Sequence, residues 1–175
     1  MPNGGSDCCA SCWFNRNNGG TPGFHGASAA AVPYCEIRGI DVPDAYYTYC
    51  ANHPHKNPGR IAIPLGPVYT GDSFGNRRVL HPAPDSEEIR ATVLRLLAEI
   101  PETPKPEYPA GLSLDQVLIR QVIEWKEPRA IPHLERIAAF AVGPVEPDNI
   151  FVRDRSQLVK LATLGIAIIR GGTLA

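Results

Sequence analysis

The chain has no long hydrophobic run and almost no net charge. Its longest apolar stretch, LATLGIAII, has nine residues, well short of the roughly 20 that cross a bilayer as a helix. The formal net charge of −1 excludes a chain-wide basic field that would attract nucleic acid or membranes. The start, MPNGGSDCC, lacks a basic segment followed by an apolar one, so we expect no secretory signal. These absences predict a soluble, cytoplasmic protein that does not contact membranes.

Cysteine is absent from everything after Cys50, although five cysteines lie at or before that point. Three of them fall within CCASC at residues 8–12, and Cys35 and Cys50 follow. Because the cytoplasm is reducing, clustered cysteines are more typical of metal ligands or catalysts than of disulfides. The odd number agrees with this, since five cysteines cannot all pair with one another.

Long helical periodicity is missing from the first half of the chain. Residues 1–84 combine all the cysteines with Gly- and Pro-rich turn signals such as NNGGTPG, which favour loops and short strands. From Asp85 onward the pattern changes to helical stretches with apolar residues on one face. We therefore predict two regions: a loop and β module over 1–84 and a helical region over 85–175.

The first region contains one candidate β-hairpin. The β-rich runs YCEIRGI and AYYTYC are separated by DVPD, and Asp and Pro in these places favour a turn. A turn centred between Val42 and Pro43 pairs Cys35 with Cys50. Their Cβ atoms would then lie about 5 Å apart.

Four helices are expected in the second region. Asp85 is the candidate N-cap of the first, with Glu88 completing a pattern like a capping box. The inward-facing stripes of the first two helices comprise Ile89, Val93, Leu96, Leu97 and Ile100, then Leu114, Val117, Leu118 and Val122. Those of the last two comprise Ile131, Leu134, Ile137, Ala138 and Ala141, then Leu158, Leu161, Gly165 and Ile168.

A single metal ion accounts for most of the cysteines. Cys9 and Cys12 form a C-x2-C pair, the usual spacing for half of a structural zinc site. The hairpin would supply Cys35 and Cys50 as the other half. Four thiolates in a closed shell favour zinc over hard cations, and they leave no open position for a substrate. We therefore predict one structural Zn²⁺.

Two other ligand choices remain open. Cys50 begins CANHPH, so a set of Cys9, Cys12, Cys50 and His53 is also possible, with Cys35 buried and inert. Cys8 could replace Cys9 as a ligand or remain a free thiol. Nothing local joins Cys8 to a histidine and an acid, as a nucleophilic cysteine requires.

Two parts of the sequence resemble known structural classes. Residues 8–53, with the C-x2-C pair and the later cysteines, resemble zinc-ribbon modules. Residues 124–140, EWKEPRAIPHLERIAAF, resemble a HEAT-like repeat, with Glu127-Pro128-Arg129-Ala130 at the turn between two helices. This second resemblance extends loosely over 113–141. It implies a helical surface that binds protein.

The predicted fold is α+β: a small zinc-stabilised β-hairpin and loop module, then a bundle or short HEAT-like stack of about four helices. The function expected from this is zinc-stabilised, non-catalytic interaction with a protein partner, as an adaptor or scaffold. One alternative is nucleic-acid binding, with a stacking surface and basic residues drawn from Trp13, Phe14, Tyr46, Tyr47, Tyr49, Lys56, Arg60, Arg77 and Arg78. A further alternative is an enzyme that uses an open zinc site or Cys8.

Overall fold

The computed structural model describes residues 8–16, 33–42, 44–54, 56–57, 59, 61–71, 76–102, 114–142 and 155–171. The chain divides into two compact units, Met1–Pro84 and Asp85–Ala175. Among the described residues, two small antiparallel sheets lie in the first unit and four α-helices in the second, which makes the fold a mixed α+β fold. None of the helices in the described residues is long and apolar enough to span a membrane.

Each sheet of the N-terminal unit has two strands. The first joins β1 (Tyr34–Cys35) to β2 (Ile40–Asp41), and the second joins β3 (Val68–Gly71) to β4 (Arg77–His81). Single bridges extend both sheets: Asn15 pairs with Cys35, and Tyr49 pairs with Tyr69. Such short strands carry few ladder hydrogen bonds, so side-chain contacts must hold much of this unit together.

The hairpin predicted around DVPD is wrong. Cys35 pairs with Ile40 rather than with Cys50, and the chain turns at residues 36–39. The N–H groups of Arg38 and Gly39 donate to the carbonyl of Cys35 at 3.3 and 2.8 Å. Gly39 has a φ of +62°, a left-handed conformation that glycine adopts without strain. This tight glycine turn precedes DVPD, whose first residue, Asp41, lies in β2. Pro43 of the predicted turn lies outside the described residues.

A buried polar network, rather than regular secondary structure, fixes the conformation of the loop before β3. Asn52 is 1% exposed. Its side chain donates to the carbonyls of Ile61 and Ile63 and accepts from the N–H of Leu65. The guanidinium of Arg38 donates to Asn52 and to the carbonyl of Leu65. These bonds satisfy backbone groups that would otherwise be buried without partners.

The four helices of the C-terminal unit are α1 (Glu87–Glu99), α2 (Leu114–Glu124), α3 (Ile131–Ala138) and α4 (Arg155–Ile169). A 3₁₀ turn, Pro128–Ala130, leads directly into α3. The N-cap of α1 is Ser86 rather than Asp85: the Ser86 hydroxyl accepts from the N–H of Ile89 at 3.3 Å. Asp85 instead accepts two hydrogen bonds from Arg90.

The helical core follows most of the predicted stripes. In the first three stripes, nine predicted members are buried: Ile89, Val93, Leu97, Ile100, Val117, Leu118, Val122, Leu134 and Ile137. Ala141, predicted to face inward, is exposed. The α4 stripe is only partly correct, because the helix buries Leu158, Ala162 and Gly165, whereas Leu161 and Ile168 are half-buried. A Cβ on Gly165 would lie 2.9 Å from Ile123 and 3.3 Å from Leu134. Glycine therefore permits the close packing of α4 against these side chains.

The turn before α3 is built on a buried carboxylate. Glu127 is 2% exposed and accepts hydrogen bonds from the guanidinium groups of Arg90 and Arg129 at 2.8 to 2.9 Å. Arg129 also binds Glu87 on α1. Hydrogen bonds from these arginines lower the pKa of Glu127 to about 2, with that from Arg129 the strongest cause, against burial, which raises it.

Candidate metal centre

The C-x2-C pair lies on a short 3₁₀ turn at Cys9–Ser11. The N–H of Cys12 donates to the carbonyl of Cys9 at 3.2 Å, closing the turn. The Asn15 side chain donates to the same carbonyl at 3.0 Å and accepts from the N–H of Tyr34. Asn15 therefore links the cysteine turn to β1, immediately before Cys35.

The segment before Cys50 runs along the other side of this turn. The N–H of Cys9 donates to the carbonyl of Thr48 at 2.7 Å, and the N–H of Ala10 donates to that of Ala45 at 3.0 Å. These bonds bring residues 45–50 against the C-x2-C pair. The structure thus gathers the four predicted ligands from three segments, although by a different route from the predicted hairpin.

All five cysteines are buried, and none forms a disulfide. Cys9 and Cys35 pack in one apolar cluster with Val42 and Ala45. The thiol of Cys9 lies within electrostatic reach of the other four cysteines, among which Cys50 acts most strongly and Cys8 least. The thiols therefore occupy one small region of the unit's interior.

Burial is the main influence on the thiol pKa values. It raises the pKa of Cys9, and the neighbouring cysteines raise it further. Burial also raises the pKa of Cys12 to about 11, although a hydrogen bond from the N–H of Phe14 lowers it. The pKa of Cys35 is raised by burial as well, while the N–H groups of Arg38 and Ile37 and the charge of Arg38 lower it.

Backbone N–H groups two or three residues further along the chain thus favour the ionised form of the Cys12 and Cys35 thiols. Such donors stabilise a thiolate, and hydrogen bonds of this kind tune metal–thiolate sites. Arg38 adds a positive charge beside Cys35. Its Nε is buried and has no hydrogen-bond partner among the described residues. These features suit a group that carries negative charge at the sulfurs.

His53 lies next to the cysteine turn. It is 3% exposed, and its Nε2 is 3.1 Å from the hydroxyl of Ser11, the residue between Cys9 and Cys12. Ser11 also donates to the carbonyl of Cys8. Sequence reasoning identified His53 as an alternate ligand but missed Ser11 and Asn15. No spacing pattern singles these residues out, because their partners are distant in the chain.

The chemistry of the candidate ligands favours metal binding, whereas the arrangement of their side chains does not. Several soft sulfur donors, buried together without disulfides, match the ligand chemistry of zinc. Within the described parts of the chain, however, no three His, Cys, Asp or Glu side chains are arranged so that they could hold a metal ion. Metal binding would therefore require the thiols to lie closer together than they do in this arrangement.

The proposed aromatic platform is occupied at Tyr49. The rings of Tyr49 and Tyr69 stack with centroids 5.5 Å apart, and Lys56 Nζ lies 5.3 Å from the Tyr49 centroid. Trp13 and Tyr46 are 56% and 49% exposed. Two other aromatic candidates are half-buried: Phe14, which packs against the cysteine cluster, and Tyr47. Among the basic candidates, Arg77 and Arg78 are exposed on β4, and Arg60 lies outside the described residues.

Comparisons with protein-family models, curated proteins and solved structures give no significant match. The site must therefore be interpreted from its own residues.

Proposed function

We propose that the N-terminal unit holds one structural Zn²⁺ through Cys9, Cys12, Cys35 and Cys50. We also propose that the chain is a non-catalytic, metal-stabilised protein-binding module. The observation that carries the metal site is the burial of these free thiols around Cys9. Without a metal, such a cluster has little to offset the mutual repulsion of any thiolates that form in it.

Charge supports a metal–thiolate centre. Four thiolates and one Zn²⁺ carry a net charge of −2, and burying such a charge requires compensation. The backbone N–H groups directed at Cys12 and Cys35, together with Arg38, supply it. A neutral apolar core would make no use of this positive potential.

The environment of His53 favours the four-cysteine set over the alternate set. Because Nε2 of His53 contacts Ser11, the ring supports the turn that presents Cys9 and Cys12. A histidine whose ring nitrogen is engaged in this way can orient the ligands instead of binding the ion itself. Cys8 is the weakest electrostatic neighbour of Cys9 among the cysteines, which supports its place outside the shell.

Two features support the proposed protein-binding role: the closed ligand shell proposed for the ion and the sequence of the helical unit. Four protein ligands would complete a tetrahedral shell and leave no position for water or substrate, so the ion would stabilise the unit without catalysis. The turn at Glu127, with Arg129 and Leu134, matches the HEAT-like pattern that implies a protein-binding surface.

Metal analysis of the purified full chain tests the metal site. We expect about one zinc per chain, retained through dialysis, with Cys9→Ser and Cys12→Ser both lowering the zinc content. Thr163→Ala, which changes an exposed residue of α4, serves as a matched control and should retain zinc. Folded protein with reduced cysteines and no zinc would refute the proposed site.

Affinity purification with quantitative mass spectrometry tests the protein-binding role. We expect a defined set of proteins to be enriched with the wild-type chain and lost with Cys9→Ser. Enrichment of nucleic acid in place of proteins would instead favour the nucleic-acid alternative. A shell of three protein ligands and one water would favour an enzyme.

A further inference from the structure

Strand β4 has one edge that no described residue pairs with. Its other edge pairs with β3 in the register Tyr69↔Val79, Thr70↔Arg78 and Gly71↔Arg77. No backbone group among the described residues forms a hydrogen bond to the free edge of β4. Arg77, Arg78 and Val79 are all exposed, Val79 at 55%.

The bonds of Tyr69 show which groups of β4 face this edge. Tyr69 uses both its N–H and its C=O to pair with Tyr49, at 2.9 Å each. In an antiparallel ladder, Tyr69 and Val79 must then form a non-hydrogen-bonded pair, so the N–H and C=O of Val79 point away from β3. Gly71 likewise donates to Tyr47, which places the N–H and C=O of Arg77 at the free edge.

Side chains beside this edge combine an apolar row with positive charge. Tyr49, Tyr69 and Val79 lie across one face of the sheet, because directly paired residues share a face. Arg77 contacts the hydroxyl of Tyr49. Arg78 has no ion pair and no side-chain hydrogen bond among the described residues. A partner strand paired with β4 would place one of its side chains beside Val79 and others beside Arg77 and Arg78.

We propose that the free edge of β4 binds an extended acidic segment of a partner protein, which adds to the sheet as a further strand. The proposal deepens the protein-binding role proposed above and rests on it. Backbone groups of Val79 and Arg77 would supply the ladder hydrogen bonds. An apolar partner residue would extend the row at Val79, and carboxylates would face the arginines.

Two other partners, a second copy of β4 and a single-stranded nucleic acid, fit this edge less well. Pairing β4 with a second copy of itself would bring four arginines onto one short ladder, where like charges repel. A single-stranded nucleic acid would need open aromatic faces for base stacking, whereas the Tyr49 ring already contacts Tyr69 and Lys56. An acidic extended peptide fits both the backbone edge and the arginines.

The test titrates the full chain with a short capped peptide in which valine is followed by two glutamates among threonines. A peptide with lysines in place of the glutamates is the control probe. We expect binding of the acidic peptide alone, weakened by salt. Hydrogen exchange of the Val79 and Arg77 amides should slow, while that of Arg78, already paired with Thr70, should not change.

Substitutions in β4 distinguish the contribution of backbone hydrogen bonds to peptide affinity from the contribution of charge. Val79→Pro removes the outward N–H, and proline is tolerated at such an edge position, so we expect affinity for the peptide to fall about tenfold or more. Val79→Thr retains the N–H and should change affinity by less than about threefold. Arg78→Glu should weaken binding about as much as Val79→Pro.

Zinc content, measured on the same samples, distinguishes the two proposals. A zinc-loaded wild-type chain that leaves the Val79 amide unprotected by the acidic peptide would overturn the edge proposal and leave the metal site standing. Equal binding of the lysine peptide, tighter binding of single-stranded DNA, or dimerisation through β4 would also overturn it. A chain that lacks zinc but binds the peptide would refute the metal site alone.

Discussion

At the scale of single residues, the cysteine cluster depends on polar neighbours that make no metal contact in our proposal. Ser11, Asn15 and His53 link the C-x2-C turn to segments distant in the chain. Asn15 is 9% exposed and His53 3%. A buried polar side chain that loses its partner destabilises the fold, so each of these contacts specifies one arrangement of the turn.

Substitution of single ligands distinguishes the alternative sets. Cys35→Ser and Cys50→Ser should each remove zinc from most chains, since a closed shell needs every thiolate. His53→Ala should retain one zinc per chain with affinity weaker by about 10- to 100-fold, the usual effect of losing an orienting contact. Cys8→Ser is the matched control and should retain zinc at full affinity. Competition with a chromophoric chelator measures both quantities.

The opposite result for His53 is equally informative. Loss of zinc in His53→Ala to the extent seen in Cys50→Ser would place the imidazole in the shell. Retention of zinc by Cys35→Ser in the same series would then show that the ligands are Cys9, Cys12, Cys50 and His53.

Glu127 provides a residue-scale prediction in the helical unit. Glu127→Gln removes the charge that Arg90 and Arg129 share and should lower the free energy of unfolding by about 2 kcal/mol at pH 7. Glu124→Gln, an exposed change on α2, should have almost no effect. Urea unfolding followed by circular dichroism measures the difference.

The same substitution predicts a pH dependence. The pKa of Glu127 falls from its ordinary 4.5 to about 2 in the folded chain. Its contribution is therefore fully present above about pH 4.5 and declines as pH falls toward 2. The difference between wild type and Glu127→Gln should shrink over this range. A difference that stays constant down to pH 3 would show that the charge of Glu127 does not stabilise the fold.

At the scale of elements, close approach between helices depends on one glycine. Gly165→Ala places a methyl group 2.9 Å from Cδ1 and Cγ1 of Ile123. We expect a loss of about 1–3 kcal/mol in the free energy of unfolding, as for other overpacked cores. Ile123→Val removes Cδ1, so the double variant should recover part of this loss.

Thr163→Ala, on the exposed side of the same helix, is the control for Gly165→Ala and should be nearly neutral. Thermal unfolding followed by circular dichroism compares the four proteins. Equal stability of wild type and Gly165→Ala would mean that α4 can shift away from Ile123 at no cost.

The helical elements were predicted better than the strands, for a physical reason. A helix reveals its buried face in local spacing, and residues such as Val93, Leu97 and Val122 are buried as that spacing indicated. The hairpin depends on which of two turn-favouring segments the chain uses. Gly39 and DVPD both favour a turn, and the pairing of Cys35 with Ile40 shows that the chain uses the turn at Gly39.

At the scale of the whole molecule, the two units differ in what can hold them together. The helical unit has an apolar core and a first helix capped by Ser86. The N-terminal unit has strands of two to five residues and cysteines in its core. A structural zinc contributes on the order of 10 kcal/mol of apparent binding free energy, enough to account for the stability of such a unit.

Removal of metal should therefore affect the units differently. After chelation at neutral pH, we expect amide signals from residues before Pro84 to lose chemical-shift dispersion, while most of the helical circular dichroism remains. Adding back Zn²⁺ should restore the dispersion, and Mg²⁺, which prefers oxygen ligands, should not. Cooperative loss of both units, or no change in either, would contradict the metal-dependent stability of the N-terminal unit alone.

By itself, the sequence determined the helices, the change near Asp85 from loop-like to helical patterning, and the candidate cysteines, because periodicity and ligand spacing are local properties. Only the tertiary structure decided that Cys35 pairs with Ile40, that Ser11 contacts His53 and that the backbone of Val79 lies at an edge with which no described residue pairs. Strand pairing and buried polar contacts join residues far apart in the chain. Their partners are selected by the packing of the whole unit, which no local pattern records.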